Sequence, residues 1–131
     1  MSDMNNIPWN EMSVMAWAVR ENSFLFGKTK VGAVVCSAGN NLFAGCNVEH
    51  KYRCHDVHAE VNALSNMISH GETKIKAVLI VADREFFTPC GGCMDWIMQH
   101  GEDDCQIGFQ NLTNEEIKIF RSSELMPYYP K

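Results

Sequence analysis

The sequence predicts an α/β fold: a three-layer α-β-α sandwich around a central mixed sheet of four or five strands. Three observations predict it. Two apolar runs, residues 31–36 and 41–47, flank the turn Ser37-Ala38-Gly39-Asn40 and read as a β-hairpin. Residues 75–82, Ile-Lys-Ala-Val-Leu-Ile-Val-Ala, form a nearly continuous apolar run that suits a central strand covered on both faces. After the hairpin, segments of helical period alternate with strands, which implies a mixed sheet with helices on both faces. At 131 residues, with no repeat or linker, the chain reads as one domain, 1–131.

The elements follow in order. Residues 9–24 predict a helix: Pro8 can start it, and Met12, Met15, Ala16 and Val19 fall on one face. Residues 24–30 form a loop with Gly27. Residues 48–57 are polar and basic without a period, and read as a second loop. Asp56 is the expected cap of a helix over about 57–69, which buries Ala59, Ala63, Leu64, Met67 and Ile68 and ends at Gly71. Residues 83–88 are a loop. Thr88 as N-cap and Pro89 at the first position open a third helix that runs to about His100, where Gly101 stops it. Residues 106–110 form a strand, 114–120 a short helix started by Thr113, and 122–131 a tail with two prolines.

Composition excludes several classes. A net charge of -5 argues against a polynucleotide partner, because nucleic-acid binders carry a basic patch. Lys28, Lys30, Lys51 and Arg53 are read as scattered surface charges. No stretch approaches the roughly 18 apolar residues needed to span a bilayer, so no membrane partner is expected. Residues 1–6 lack a signal-peptide pattern, which predicts a cytoplasmic protein with reduced thiols. The six cysteines then need a reason other than disulfides. Cys36 and Cys46 read as small core residues and Cys105 begins an apolar run, whereas Cys90 and Cys93 form a motif.

His58-Ala59-Glu60 and Pro89-Cys90-Gly91-Gly92-Cys93 carry the chemistry. Both are placed at helix starts, where free N–H groups favour anions and therefore thiolates. The i, i+3 spacing sets both sulfurs on one side of the first turn. With His58 they supply three zinc ligands, which leaves a fourth position open for water. Glu60 stands where it can take a proton from that water and pass it to a leaving nitrogen. Two other readings exist. Cys90 and Cys93 could be a redox dithiol, although a hairpin and two helices precede the motif. The site could also be closed and structural, with Cys54 or His55 as fourth ligand. His50, His70 and His100 receive no role.

The pattern H-x-E followed by P-C-x-x-C resembles the zinc-dependent cytidine deaminase superfamily. Val31-Gly32-Ala33, Gly45-Cys46-Asn47-Val48-Glu49 and the tail Ser123-Glu124-Leu125-Met126-Pro127 are similar to the small homotetrameric cytidine deaminases and blasticidin-S deaminase. The resemblance covers nearly the whole chain. It implies a cytidine deaminase-like fold and one zinc ion per subunit on His58, Cys90 and Cys93, with Glu60 as proton shuttle. Asn47 and Glu49 would grip the ribose hydroxyls. The Ala59 N–H would meet the pyrimidine O2, and the Thr88 carbonyl would lie near the departing amine. The implied reaction is hydrolytic replacement of the 4-amino group of cytidine, deoxycytidine or a related nucleoside, with loss of ammonia, as in pyrimidine salvage. Modified cytosine nucleosides or nucleoside antibiotics such as blasticidin S are the alternative substrates. A non-catalytic zinc-binding protein is the alternative of another class. A homo-oligomer is implied, with a tetramer favoured, and Tyr128 or Tyr129 would either close a neighbour's pocket or pack on its own subunit.

The chain departs from the small-tetramer pattern in two places. Those enzymes carry cysteine where His58 stands and arginine where Val61 stands. Two thiolates and a neutral imidazole cancel the charge of Zn²⁺, whereas three thiolates leave -1 for an arginine to offset, so the two changes agree. In the pocket, Thr29 and Lys30 replace an aromatic residue and a proline. The loop Lys51-Tyr52-Arg53-Cys54-His55 is bulkier and more basic, with Arg53 placed to recognise an acidic substituent.

Overall fold

Five strands form one mixed sheet. The computed structural model describes residues 6–85, 87–113 and 115–130. Its elements run α1 (Trp9–Arg20), β1 (Val31–Ser37), β2 (Leu42–Cys46), α2 (Ala59–Ser69), β3 (Ile75–Ala82), α3 (Gly91–His100), β4 (Gly101–Gln110), β5 (Lys118–Arg121) and α4 (Ser122–Leu125). The strand order is β2-β1-β3-β4-β5. β3 and β4 are parallel and joined through α3, and the other neighbours are antiparallel.

The hairpin pairs Gly32 with Cys46 through to Cys36 with Leu42. Asn40 turns the chain with φ of 68°, a left-handed conformation that asparagine tolerates. Every residue of β3 is buried, as its apolar run requires. Its side chains alternate between two cores. Val78, Ile80 and Ala82 face α2 and α3, while Ala77, Leu79 and Val81 face α1. Helices therefore cover both faces, and the three-layer expectation holds with five strands.

Two glycines let the layers meet. A Cβ at Gly32 would overlap the carbonyl of Ala16, and one at Gly45 would overlap the backbone nitrogen of Ala63. α1 thus rests directly on β1, and α2 on β2.

Several expectations are corrected. The expected helix over 114–120 is absent among the described residues; Lys118–Arg121 pairs antiparallel with β4 instead, Ile107 opposite Phe120. β4 starts at Gly101 rather than at 106, and α1 ends at Arg20 rather than 24. Asp56 does not cap α2: its carboxylate accepts from the His50 N–H (2.7 Å) and from Arg53 Nε (2.9 Å), and His58 is the N-cap. Thr88 and Pro89 precede α3, whose N-cap is Cys90.

Val31 pairs with Ala82, and Gly32 with Cys46. The start of β1 and the ends of β2 and β3 therefore lie together at one end of the strands. The loops that follow β2 and β3, and the N-termini of α2 and α3, converge there. Crevices outside strand ends are where open α/β sheets hold ligands.

Candidate active site

His58 and Cys90 are both N-cap residues with extended backbone, at ψ of 152° and 172°. Each side chain therefore projects from the mouth of its helix toward the other. His58 Nδ1 lies 3.4 Å from Cys90 Sγ and 3.3 Å from Cys93 Sγ. The Cys93 N–H points at Cys90 Sγ from 3.5 Å, so the thiol itself caps α3.

The donor set fits zinc. All three ligand atoms lie within 4.8 Å of one another. Tetrahedral zinc, with bonds of about 2.3 Å to sulfur and about 2.0–2.1 Å to nitrogen, sets its ligand atoms about 3.5–3.8 Å apart. Burial pushes the Cys93 thiol far above its ordinary value, and the charges of Glu60 and Cys90 beside it add to the shift. A thiolate there needs a compensating cation, which a divalent metal supplies. Cys54 and His55, in a short 3₁₀ turn over Arg53–His55, do not join this ligand group. All six cysteines are unbridged.

A cavity of about 300 Å³ opens beside the ligands. His58, Ala59, Glu60 and Cys90 form its metal end, and Thr29, Asn47, Glu49 and Arg53 line it as well. Cys93 is buried behind Cys90. Glu60 is 4% exposed and meets the Cys93 thiol. Burial raises its carboxyl above the ordinary range, while its own backbone N–H, His58 and the Cys93 contact pull it back. Ala59 is the first residue of α2, so its N–H has no partner within the helix. Because α3 begins only at Gly91, the Thr88 carbonyl is likewise outside the helical ladder.

Asn47 and Glu49 are heavily engaged. Asn47 donates Nδ2 to the Thr29 carbonyl and accepts from the Val31 N–H, both at 2.9 Å. Glu49 Oε1 accepts from the Phe26 and Gly27 N–H groups at 2.7 and 2.6 Å. Its Oε2 lies 3.0 Å from Arg53 Nη2. Arg53 is thereby bracketed by Glu49 and Asp56. Its placement on the cavity was expected; its pairing to two carboxylates was not. Tyr129 packs on its own subunit, with its hydroxyl 2.5 Å from Asp95 Oδ1, whereas Tyr128 is 94% exposed.

Arg84 and Phe87 also line the cavity and were not singled out in the sequence; Asp56, expected only as a helix cap, lines it too. Arg84 and Phe87 fall in the loop between the central strand and Pro-Cys-x-x-Cys. That position, rather than any periodicity, is the signal that could have found them.

Comparison with known proteins agrees with this geometry. Residues 9–109 match the family described as the cytidine and deoxycytidylate deaminase zinc-binding region. A cytidine deaminase of Sporosarcina psychrophila is 29% identical over 110 residues, covering 82% of this chain and 80% of that protein. A cytidine deaminase of Aeromonas hydrophila is 36% identical over 69 residues, which span 51% of this chain but only 22% of that longer protein. The crystal structure of cytidine deaminase from Burkholderia pseudomallei shares the fold, with a TM-score of 0.84 at 24% identity over 90% of this chain and 95% of the other.

Proposed function

The chain belongs to the cytidine and deoxycytidylate deaminase zinc-binding family, and from that premise we propose that it hydrolyses the 4-amino group of cytidine, deoxycytidine or a related cytosine nucleoside. The observation that carries this reading is the buried Glu60 carboxylate on the same cavity wall as His58 and Cys90. A purely structural metal site has no use for an acid–base group there.

His58, Cys90 and Cys93 would hold the metal. Bound there, zinc would supply a Lewis acid that brings the pKa of water down to about 7. Glu60 takes a proton from the attacking water and delivers it to the nitrogen that leaves. The water oxygen bonds to C4, the C4–N bond breaks, and ammonia departs with the transferred protons. The Ala59 N–H donates to the pyrimidine O2, which holds the ring with C4 toward Glu60. The Thr88 carbonyl accepts from the departing amine.

Asn47 and Glu49 bind the sugar. Asn47 keeps one amide hydrogen beyond its bond to Thr29, and Glu49 keeps lone-pair capacity on Oε2 beside Arg53. Their existing bonds hold both groups in place before the substrate arrives, which lowers the ordering cost of binding.

The same reading includes a homo-oligomer, with a tetramer favoured. Phe24, Phe26, Val48, Val57 and Tyr52 are exposed beside the cavity mouth, and an apolar patch of this kind suits a second copy of the chain. Tyr128, free of its own subunit, is the tail residue available to a neighbour. The same reading gives the protein a part in pyrimidine salvage and a cytoplasmic setting, with which its six unbridged cysteines are compatible. No helix among the described residues is long and apolar enough to cross a membrane. The test is to supply zinc-loaded protein with cytidine and deoxycytidine and follow both the loss of pyrimidine absorbance and the release of ammonia; light scattering on the same sample gives the subunit number.

A further inference from the structure

The cavity holds two arginines whose electrostatic situations differ. Arg53 lies 3.0 Å from Glu49 Oε2 and 2.9 Å from Asp56 Oδ2. Its charge is spent on two carboxylates, so that corner of the cavity carries a net negative charge. Arg84 forms no ion pair with any described residue. Its guanidinium instead sits over the Phe87 ring at 5.4 Å from the centroid. Phe87 in turn packs against Phe109, with ring centroids 5.9 Å apart, and against the core between α2 and α3. Both Arg84 and Phe87 line the cavity.

A guanidinium stacked on an anchored ring keeps its N–H edge free for an acceptor. The ring contact biases the guanidinium toward the cavity without neutralising it. Such an edge accommodates a carboxylate or a phosphate with two parallel hydrogen bonds. A neutral sugar offers it much less.

Resting on the deaminase reading above, we propose that Arg84 is a specificity-determining residue, and that the preferred substrate is a cytosine nucleoside bearing an anionic group, carboxylate or phosphate, on its sugar. The stacked Arg84–Phe87 pair receives that group, while the paired Arg53 only shapes the sugar end. This reassigns to Arg84 the recognition that the sequence suggested for Arg53.

The test compares kcat/KM for cytidine, cytidine 5′-monophosphate and a cytidine analogue carrying a 5′-carboxylate, in the zinc-loaded wild type, Arg84→Gln and Arg53→Gln. The expected result is a preference for one anionic substrate over cytidine of about tenfold or more, equivalent to one charge-assisted contact. That preference falls to about unity in Arg84→Gln, chiefly through KM, and survives in Arg53→Gln. Which of the two anions is favoured identifies the group. Turnover of cytidine with no anionic preference, or with a preference that Arg84→Gln leaves intact, would overturn the proposal alone. No turnover of any of the three would overturn the deaminase reading and the proposal with it.

Discussion

His58 Nδ1 stands 3.3 Å from Cys93 Sγ, across the gap between two helix starts. That single contact joins the N-cap of α2 to the first turn of α3, and a metal ion is the group that both ends fit. His58→Cys keeps three donors but adds a negative charge, with Val61 rather than an arginine three residues further along the chain to offset it. We expect that variant to retain zinc by metal analysis, to lose activity near neutral pH, and to regain part of it as pH rises. A pH–rate profile unchanged from wild type would remove the charge argument.

Asp56 ties the loop before α2 together, through the His50 N–H and Arg53. The His50 N–H and then the Arg53 guanidinium hold its carboxyl below the ordinary range. Its folded pKa is depressed, so its contribution is present above the unfolded value of about 3.9 and is lost as pH falls through the folded value. At neutral pH the bracket on Arg53 is therefore intact. Asp56→Asn loosens it, and we expect a rise in KM of severalfold with kcat changed less. Steady-state kinetics with cytidine check this.

Lys76 is 2% exposed on β3, and its Nζ has no hydrogen-bond partner among the described residues. Burying a polar group without a partner costs about 1–3 kcal/mol on the scale of protein mutational data. Lys76→Met keeps the volume and removes the amine. We expect it to raise the Tm by several degrees in thermal denaturation, with the metal content unchanged.

Much of the fold was legible in the sequence. The hairpin and β3 declared themselves by unbroken apolar runs, and α1 and α2 by helical spacing. β5 did not, because Glu115-Glu116-Ile117-Lys118 favours helix locally; pairing of Phe120 with Ile107 across β4 decides the matter, as tertiary context often does for weak propensities. The caps were misplaced for a related reason. Asp56 and Thr88 are good N-cap types, yet the metal donors need extended backbone at helix mouths, and His58 and Cys90 take those positions. The ligand set and Glu60 could be read because their spacing is fixed by helix geometry. Arg84 and Phe87 could not, since a loop has no period and only the folded chain brings them to the cavity.

The central claim is that Glu60 moves the proton while His58, Cys90 and Cys93 hold the metal. The most direct measurement is ammonia release from cytidine by Glu60→Gln, made alongside its zinc content. We predict one zinc per chain, a wild-type fold and a loss of kcat of at least about 10²–10⁴. Wild-type turnover in a Glu60→Gln protein that retains its zinc would contradict the assignment.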